Sequence, residues 1–281
     1  MSCSGAAINS RHNALHAIRL VQLTDTHLFG DPRQNLRGVA TLPALNAVLA
    51  CAAPQIETAE AVLVTGDVVQ DDAGGYGHFV AALDQLGKPV LCVPGNHDDV
   101  ELMRQALARA PFQFCGHADF GDWRIVLLDS VKPGEAGGHL SRAELARLEQ
   151  SLKTAANRHT LVCLHHHPVS MRSRWLDSVG LDNAAEFFEI IDKHANVRAI
   201  SWGHVHQSFD ETRNGVRLLA TPSTCTQFMP LVEDFAIDTQ PPGYRMLELG
   251  PDGSLRTEVL WLDHFAPSSQ SGSQHPSSSV A

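Results

Sequence analysis

Short apolar runs alternate with amphipathic stretches along this chain. Ile18 to Leu23, Ala61 to Thr65, Pro89 to Val93, Ile125 to Leu128, Leu161 to Leu164 and Val197 to Trp202 are brief and β-rich, as buried strands are. The segments between them carry helical spacing. Ser141 and Glu144 form a capping-box pattern ahead of Leu145, Leu148 and Leu152, and Asn183 and Glu186 repeat it ahead of Phe187, Ile190, Ile191 and His194. Such alternation predicts an α/β middle. After Gly203 the texture changes. Asn214-Gly215 and Asp252-Gly253 are hairpin-turn signals flanked by extended segments, so the C-terminal part is expected to be mainly antiparallel β.

A length of 281 residues allows one large domain or two small ones. The pattern places a single domain over 18–265, after a flexible N-terminal segment 1–17. The Ser-rich tail 266–281, with Pro267 and Pro276, buries too little to order itself and is expected to be disordered.

Composition narrows the function classes. Hydrophobic residues make up 43% and charged residues 19%, the proportions of an ordinary globular chain. No apolar run approaches the ~18 residues needed to span a bilayer, so no membrane partner is expected. The first seventeen residues lack an apolar signal-peptide core, and six cysteines are scattered without a C-x-x-C pair. The expectation is a cytoplasmic protein with reduced, structural thiols. A net charge of -10 argues against a nucleic-acid partner. Sixteen histidines beside only two tyrosines raise the prospect of metal binding, since neutral imidazole is the commonest metal ligand. Nothing in the composition sets the oligomeric state.

The chemistry lies where the strands stop. The first runs into Thr24-Asp25-Thr26-His27, where extended spacing would put Asp25 and His27 on one face. The others lead into Gly66-Asp67, Gly95-Asn96-His97-Asp98, His165-His166-His167-Pro168 and Gly203-His204-Val205-His206. Ligands of open α/β sheets gather at the carboxyl ends of strands. Gly66, Gly95 and Gly203 would let the backbone approach an ion closely. Each motif alone has an ordinary explanation as a turn, a cap or a solvated loop. Together they point to a metal centre drawn from Asp25, His27, Asp67, Asn96, the triple His165-His166-His167, His204 and His206.

The set D-x-H, G-D, G-N-H-D, H-H-x-P and G-H-x-H resembles that of the calcineurin-like metallophosphoesterases. Thr24 to Phe29, Pro94 to Asp98, Leu164 to Pro168, Trp175 to Asp177 and Leu218 to Cys225 further resemble the bacterial 3',5'-cyclic AMP phosphodiesterase branch. The likeness covers roughly Ile18 to Leu262. It implies a four-layer α/β/β/α sandwich of two mixed sheets. It also implies two divalent ions, one held by Asp25, His27 and His206 and the other by Asn96, His165 and His204, with Asp67 bridging. Choosing His165 within the triple His depends on this comparison; His166 and His167 are taken as supporting or structural. Mixed nitrogen and oxygen donors suit iron, manganese or zinc, and the resemblance favours iron.

The expected reaction is hydrolysis of cyclic AMP by a metal-bridging hydroxide, with no protein nucleophile. Two divalent cations outweigh two carboxylates, so the centre would attract an anionic diester even in an acidic protein. His97 is the candidate to stabilise the transition state or protonate the leaving 3'-oxygen, and His27, Asp67, Asn96, His97 and His206 are the expected substrate contacts. Asp98 would orient His97 or, better, cap the next helix. Trp175 and Arg174 could stack on an adenine or anchor packing, and Thr221 to Cys225 could line the site or form a strand edge. Competing functions are a related phosphoesterase of other diesters or nucleotides, and a non-catalytic scaffold or sensor on the same fold.

Overall fold

The apolar runs fold as strands buried on both faces. In the computed structural model, which describes residues 16–263, Ile18–Leu23, Ala61–Thr65 and Val90–Val93 lie side by side and parallel. Alternation along each strand sends its side chains two ways. Leu20, Leu63, Leu91 and Val93 meet Trp123, Ile125, Leu161 and Leu219 of a second sheet. Val21, Leu23, Val62 and Val64 instead meet Leu45, Val48 and Phe79, which come from the helices Thr41–Thr58 and Gly75–Asp84. The outer face of the second sheet is covered in the same way. Val126, Val162 and Ile200 pack with Leu148, Leu152, Phe187 and Ile191 of the helices Arg142–Thr154 and Ala184–Ile191.

Each sheet has six strands. The first runs Leu255–Trp261, Gly243–Leu249, Ile18–Leu23, Ala61–Thr65, Val90–Val93, Phe112–Phe114; the second runs Phe209–Arg213, Val216–Ala220, Val197–Trp202, His159–Cys163, Trp123–Leu127, Gly116–Phe120. In the second sheet antiparallel strands flank a parallel middle on both sides, whereas in the first they lie on one side only and the parallel block runs out to the edge strand Phe112–Phe114. This is the expected four-layer α/β/β/α sandwich of mixed sheets. The parallel strands bring their carboxyl ends to one edge, where the candidate donors begin.

Several local expectations shift. Three strands start or stop a residue or two away from the apolar runs, at Val90–Val93, Trp123–Leu127 and His159–Cys163. Ser141 caps its helix through Glu144 N–H. Asn183 does not cap: its amide instead brackets the backbone of Leu140, accepting from N–H at 3.0 Å and donating to the carbonyl at 2.9 Å. A tertiary partner has taken the side chain that the pattern assigned to the helix. Asn214 and Gly215 both adopt positive φ and join an antiparallel hairpin, yet Val216–Ala220 also pairs in parallel with Val197–Trp202.

The expected N-terminal segment, apart from residues 16 and 17, and the Ser-rich tail lie outside the described residues. No described helix is long and apolar enough to cross a membrane. Cys51, Cys92, Cys115, Cys163 and Cys225 are free thiols, and Cys3 lies outside the described residues.

Candidate metal centre

The donors sit on unusual backbone. Asp25, His27, Asp67, His204 and His206 have φ of 53°, 46°, 50°, 65° and 48°, in the left-handed region that costs an L residue roughly 1–2 kcal/mol. Asp25 and His27 therefore do not share a face by strand alternation, because the strand has already ended at Leu23. They converge through this left-handed path, which neighbours hold in place. Asp25 N–H donates to Gly66 carbonyl at 3.0 Å and His27 N–H to Asp67 carbonyl at 2.9 Å. From the Thr221–Cys225 segment, Ser223 hydroxyl donates to Asp25 carbonyl at 2.7 Å and Thr224 N–H to Thr24 carbonyl at 3.1 Å. That segment braces the loop from behind. Glycine also acts differently from expectation: a Cβ at Gly95 would sit 2.2 Å from Asp67 Oδ1, and one at Gly203 would sit 2.0 Å from Thr24 Oγ1. The space belongs to neighbouring side chains, with Asp67 itself filling it at Gly95.

All seven predicted donors gather at this edge. The donor atoms of Asp25, His27 and His206 lie within 4.8 Å of one another, as do those of Asp25, Asp67 and His165. His206 Nε2 is 3.4 Å from Asp25 Oδ1, and His27 Nε2 is 3.8 Å from Asp67 Oδ2. The same Asp67 Oδ2 is 3.3 Å from His165 Nε2, which is 3.2 Å from Asn96 Oδ1. The His204 ring lies 5.0 Å from that of His165. Asp67 thus stands between the two groups that the resemblance assigns to separate ions.

Tautomers and charge make the cluster suited to cations. His165 and His206 each direct Nδ1 at a backbone carbonyl 2.7 Å away, of Thr65 and Thr226, which leaves Nε2 as the free lone pair. His204 Nε2 and His27 Nδ1 are buried with no hydrogen-bond partner. Burial pushes the His27 imidazole down to about 3 and the His204 imidazole well below its ordinary value, so both stay neutral donors. Burial disfavours the His165 imidazolium, but the Asp67 carboxylate outweighs it and raises the group to about 9, so an ion bound at Nε2 would displace a proton shared with Asp67. Burial likewise opposes ionisation of Asp25 and Asp67, yet the facing imidazoles hold both below the usual range. Among the described residues no Lys or Arg reaches either carboxylate within 4.0 Å, although both are almost fully buried. Buried anions with lone-pair donors and no basic side chain fit divalent cations.

His97 and its surroundings differ from expectation in one respect. His97 N–H donates to Asp67 Oδ1 at 2.9 Å, and its ring Nδ1 lies 3.0 Å from Asp71 Oδ2 and 2.9 Å from the Gln70 amide. Burial lowers this imidazole, but Asp67 and Asp71 together lift it to about 9. Asp98 neither orients His97 nor caps the helix Val100–Ala106, which is capped by Asp99. Its carboxylate accepts from the N–H groups of Val68, Val69 and Gly95 and from Tyr76 hydroxyl, tying two donor loops together. Asp71 was invisible in the sequence because it shares no spacing with His97; a loop with positive φ at Asp71 brings it there.

His166 and His167 pack behind the donors. His166 Nδ1 lies 2.8 Å from Ser130 hydroxyl, and its ring is 4.8 Å from that of His204, so His165, His166 and His204 form a further group of close donor atoms. His167 stacks on His204 at 5.6 Å. Asp129 makes a turn, accepting from Val131 N–H. A cavity of about 500 Å³ opens over the cluster and is lined by all five expected substrate contacts, His27, Asp67, Asn96, His97 and His206. Trp175 lines it too, whereas Arg174 turns to Asp234 at 2.7 Å.

Residues 18–208 match the calcineurin-like phosphoesterase family. This chain is a calcineurin-like phosphoesterase. The family implies a dinuclear divalent metal site, and the clustered His and Asp side chains are candidates to hold it. The chain is 42% identical over 244 residues to the 3',5'-cyclic adenosine monophosphate phosphodiesterase CpdA of Escherichia coli (strain K12), covering 86% of this chain and 89% of the relative. It is 39% identical to CpdA of Pseudomonas aeruginosa, covering 90% and 95%. Among solved structures, a dimetal phosphatase from Danio rerio shares the fold with a TM-score of 0.61 and 14% identity, over 88% of this chain and 99% of that one.

Proposed function

We propose that this phosphoesterase hydrolyses 3',5'-cyclic AMP to 5'-AMP and so lowers the cellular cyclic AMP level. The observation that carries it is the convergence of two buried carboxylates, an amide and four imidazoles from five strand ends beneath one nucleotide-sized cavity. The relatives of matching length, named as cyclic AMP phosphodiesterases, supply the substrate.

Asp25, His27 and His206 would hold one divalent ion and Asn96, His165 and His204 the other, with Asp67 shared. Iron is the ion we favour, with manganese and zinc compatible with the same donors. Such ions supply Lewis-acid activation of phosphate and of attacking water at neutral pH. The chain's own contribution is positional. Thr65 and Thr226 carbonyls fix two imidazoles, and His97 N–H fixes Asp67. His97, held at Nδ1 by Asp71, keeps Nε2 to pass a proton to the departing 3'-oxygen. Free thiols agree with a cytoplasmic setting.

The test is incubation of iron-, manganese- and zinc-loaded protein with cyclic AMP and chromatography of the products. Formation of 5'-AMP is expected; its absence with every metal overturns the proposal.

A further inference from the structure

Beside the candidate donors lies an aromatic recess that the hydrolytic machinery does not use. The Phe228 ring stacks on His206 at 4.0 Å with 11° between the planes, so the recess begins one ring away from the centre. Phe228, Trp175 and Phe235 then meet edge to face, with centroids 5.0–5.3 Å apart. All three line the cavity that also contains His97 and Asn96. Phe235 keeps 36% of its surface exposed there. The Arg37 guanidinium lies 4.3 Å over the Phe235 ring, and it makes no ion pair among the described residues. The rings are held without a ligand: Trp175 N–H donates to Glu233 carbonyl at 3.2 Å, and Met229 N–H to Ala236 carbonyl at 2.8 Å. An ordered recess of this kind binds without first having to assemble.

We infer that this recess is the base subsite, in which the purine of the nucleotide packs against Phe235, with Phe228 and Trp175 completing the aromatic wall and the Arg37 guanidinium at its rim. The inference rests on the cyclic nucleotide reading and adds where the base goes. In a cyclic nucleotide the phosphate is the anionic end and the purine the aromatic end. A cationic centre next to a patch of rings accepts the two ends in one orientation. Stacking of a base on an aromatic side chain is worth on the order of tenfold or more in affinity.

The test is calorimetric titration of manganese-loaded protein with 5'-AMP and with ribose 5-phosphate, which is the same phosphate and sugar without the base. The wild-type protein should bind 5'-AMP at least tenfold more tightly. Phe235→Ala should cut that preference to two- or threefold, Arg37→Ala should cut it less, and Phe235→Tyr should keep it, with thermal melts checking that each variant is folded. No preference in the wild type, or the same preference in Phe235→Ala, overturns the assignment. Hydrolysis of cyclic AMP without a base preference would sink the recess and leave the reaction standing. A base preference that depends on Phe235, without hydrolysis, would sink the reaction and leave the recess as a nucleotide site.

Discussion

The Nε2 atoms of His27 and His206 lie 3.0 Å apart across 179 residues of sequence. Because the His206 Nδ1 proton is committed to the Thr226 carbonyl, its Nε2 presents a lone pair to His27 and to Asp25. A proton on His27 Nε2 bridges the pair as a hydrogen bond, and a divalent cation can take the place of that proton. Removing metal with a chelator should therefore lower the melting temperature as well as abolish activity. A ligand at a hundredfold over its Kd adds about 2.7 kcal/mol, which corresponds to roughly 5–10 °C at this size. Scanning calorimetry before and after chelation, then after adding iron, manganese or zinc, measures this; an unchanged melting temperature would count against a metal between these imidazoles.

Asp67 is the side chain shared by both donor groups, so Asp67→Ala should take metal content below one ion per chain and reduce turnover by roughly 10³-fold or more. Gly95→Ala should act in the same direction, since its Cβ would meet Asp67 Oδ1 at 2.2 Å. Elemental analysis of the purified variants decides, and full metal occupancy in Asp67→Ala would refute the shared role.

His97→Ala should lower kcat by about 10²–10⁴-fold, the usual worth of general acid catalysis, while metal content stays near that of the wild type. Asp71→Asn should lower kcat by about tenfold, because Asp71 holds the His97 ring at Nδ1. Metal loss in His97→Ala equal to that in Asp67→Ala would make His97 a structural residue.

Away from the site, Arg124 donates to both oxygens of Asp119 at 2.7 and 2.8 Å. These hydrogen bonds hold the Asp119 carboxyl below its ordinary value of 3.8, against a smaller opposing effect of burial. A depressed carboxyl stabilises the fold fully above its unfolded value and loses that contribution as pH falls through the folded one. The wild type should exceed Asp119→Asn by about 0.5–1 kcal/mol near pH 7, a modest figure because Asp119 is one-third exposed. The gap should close below about pH 4. Urea melts at pH 7 and pH 3 would test it, and a gap that widened in acid would reverse the sign.

Much of the architecture was legible because it is written locally. Short β-rich apolar runs at Ile18–Leu23 and Ala61–Thr65 mark strands with two buried faces, and the spacing of Leu145, Leu148 and Leu152 marks a helix with one. Asn183 shows the limit of that logic: its capping pattern was intact, but Leu140 offered two better-placed backbone groups. The route by which Asp25 and His27 converge was likewise misjudged, since positive φ at non-glycine residues leaves no mark in spacing.

The sequence determined the α/β alternation from local patterns, and its strand-end motifs, through their resemblance to a known family, determined the layering and the set of clustered donors, because each depends on a few neighbouring residues or on motifs read in order. Only the tertiary structure decided that Asp71 serves His97, that Asp98 ties loops together, that His166 packs behind His204, and that Phe228 continues the ring stack from His206. Those contacts join segments separated by tens of residues. Their distances follow from sheet register and from how the two sheets pack, to which no short stretch of sequence is sensitive.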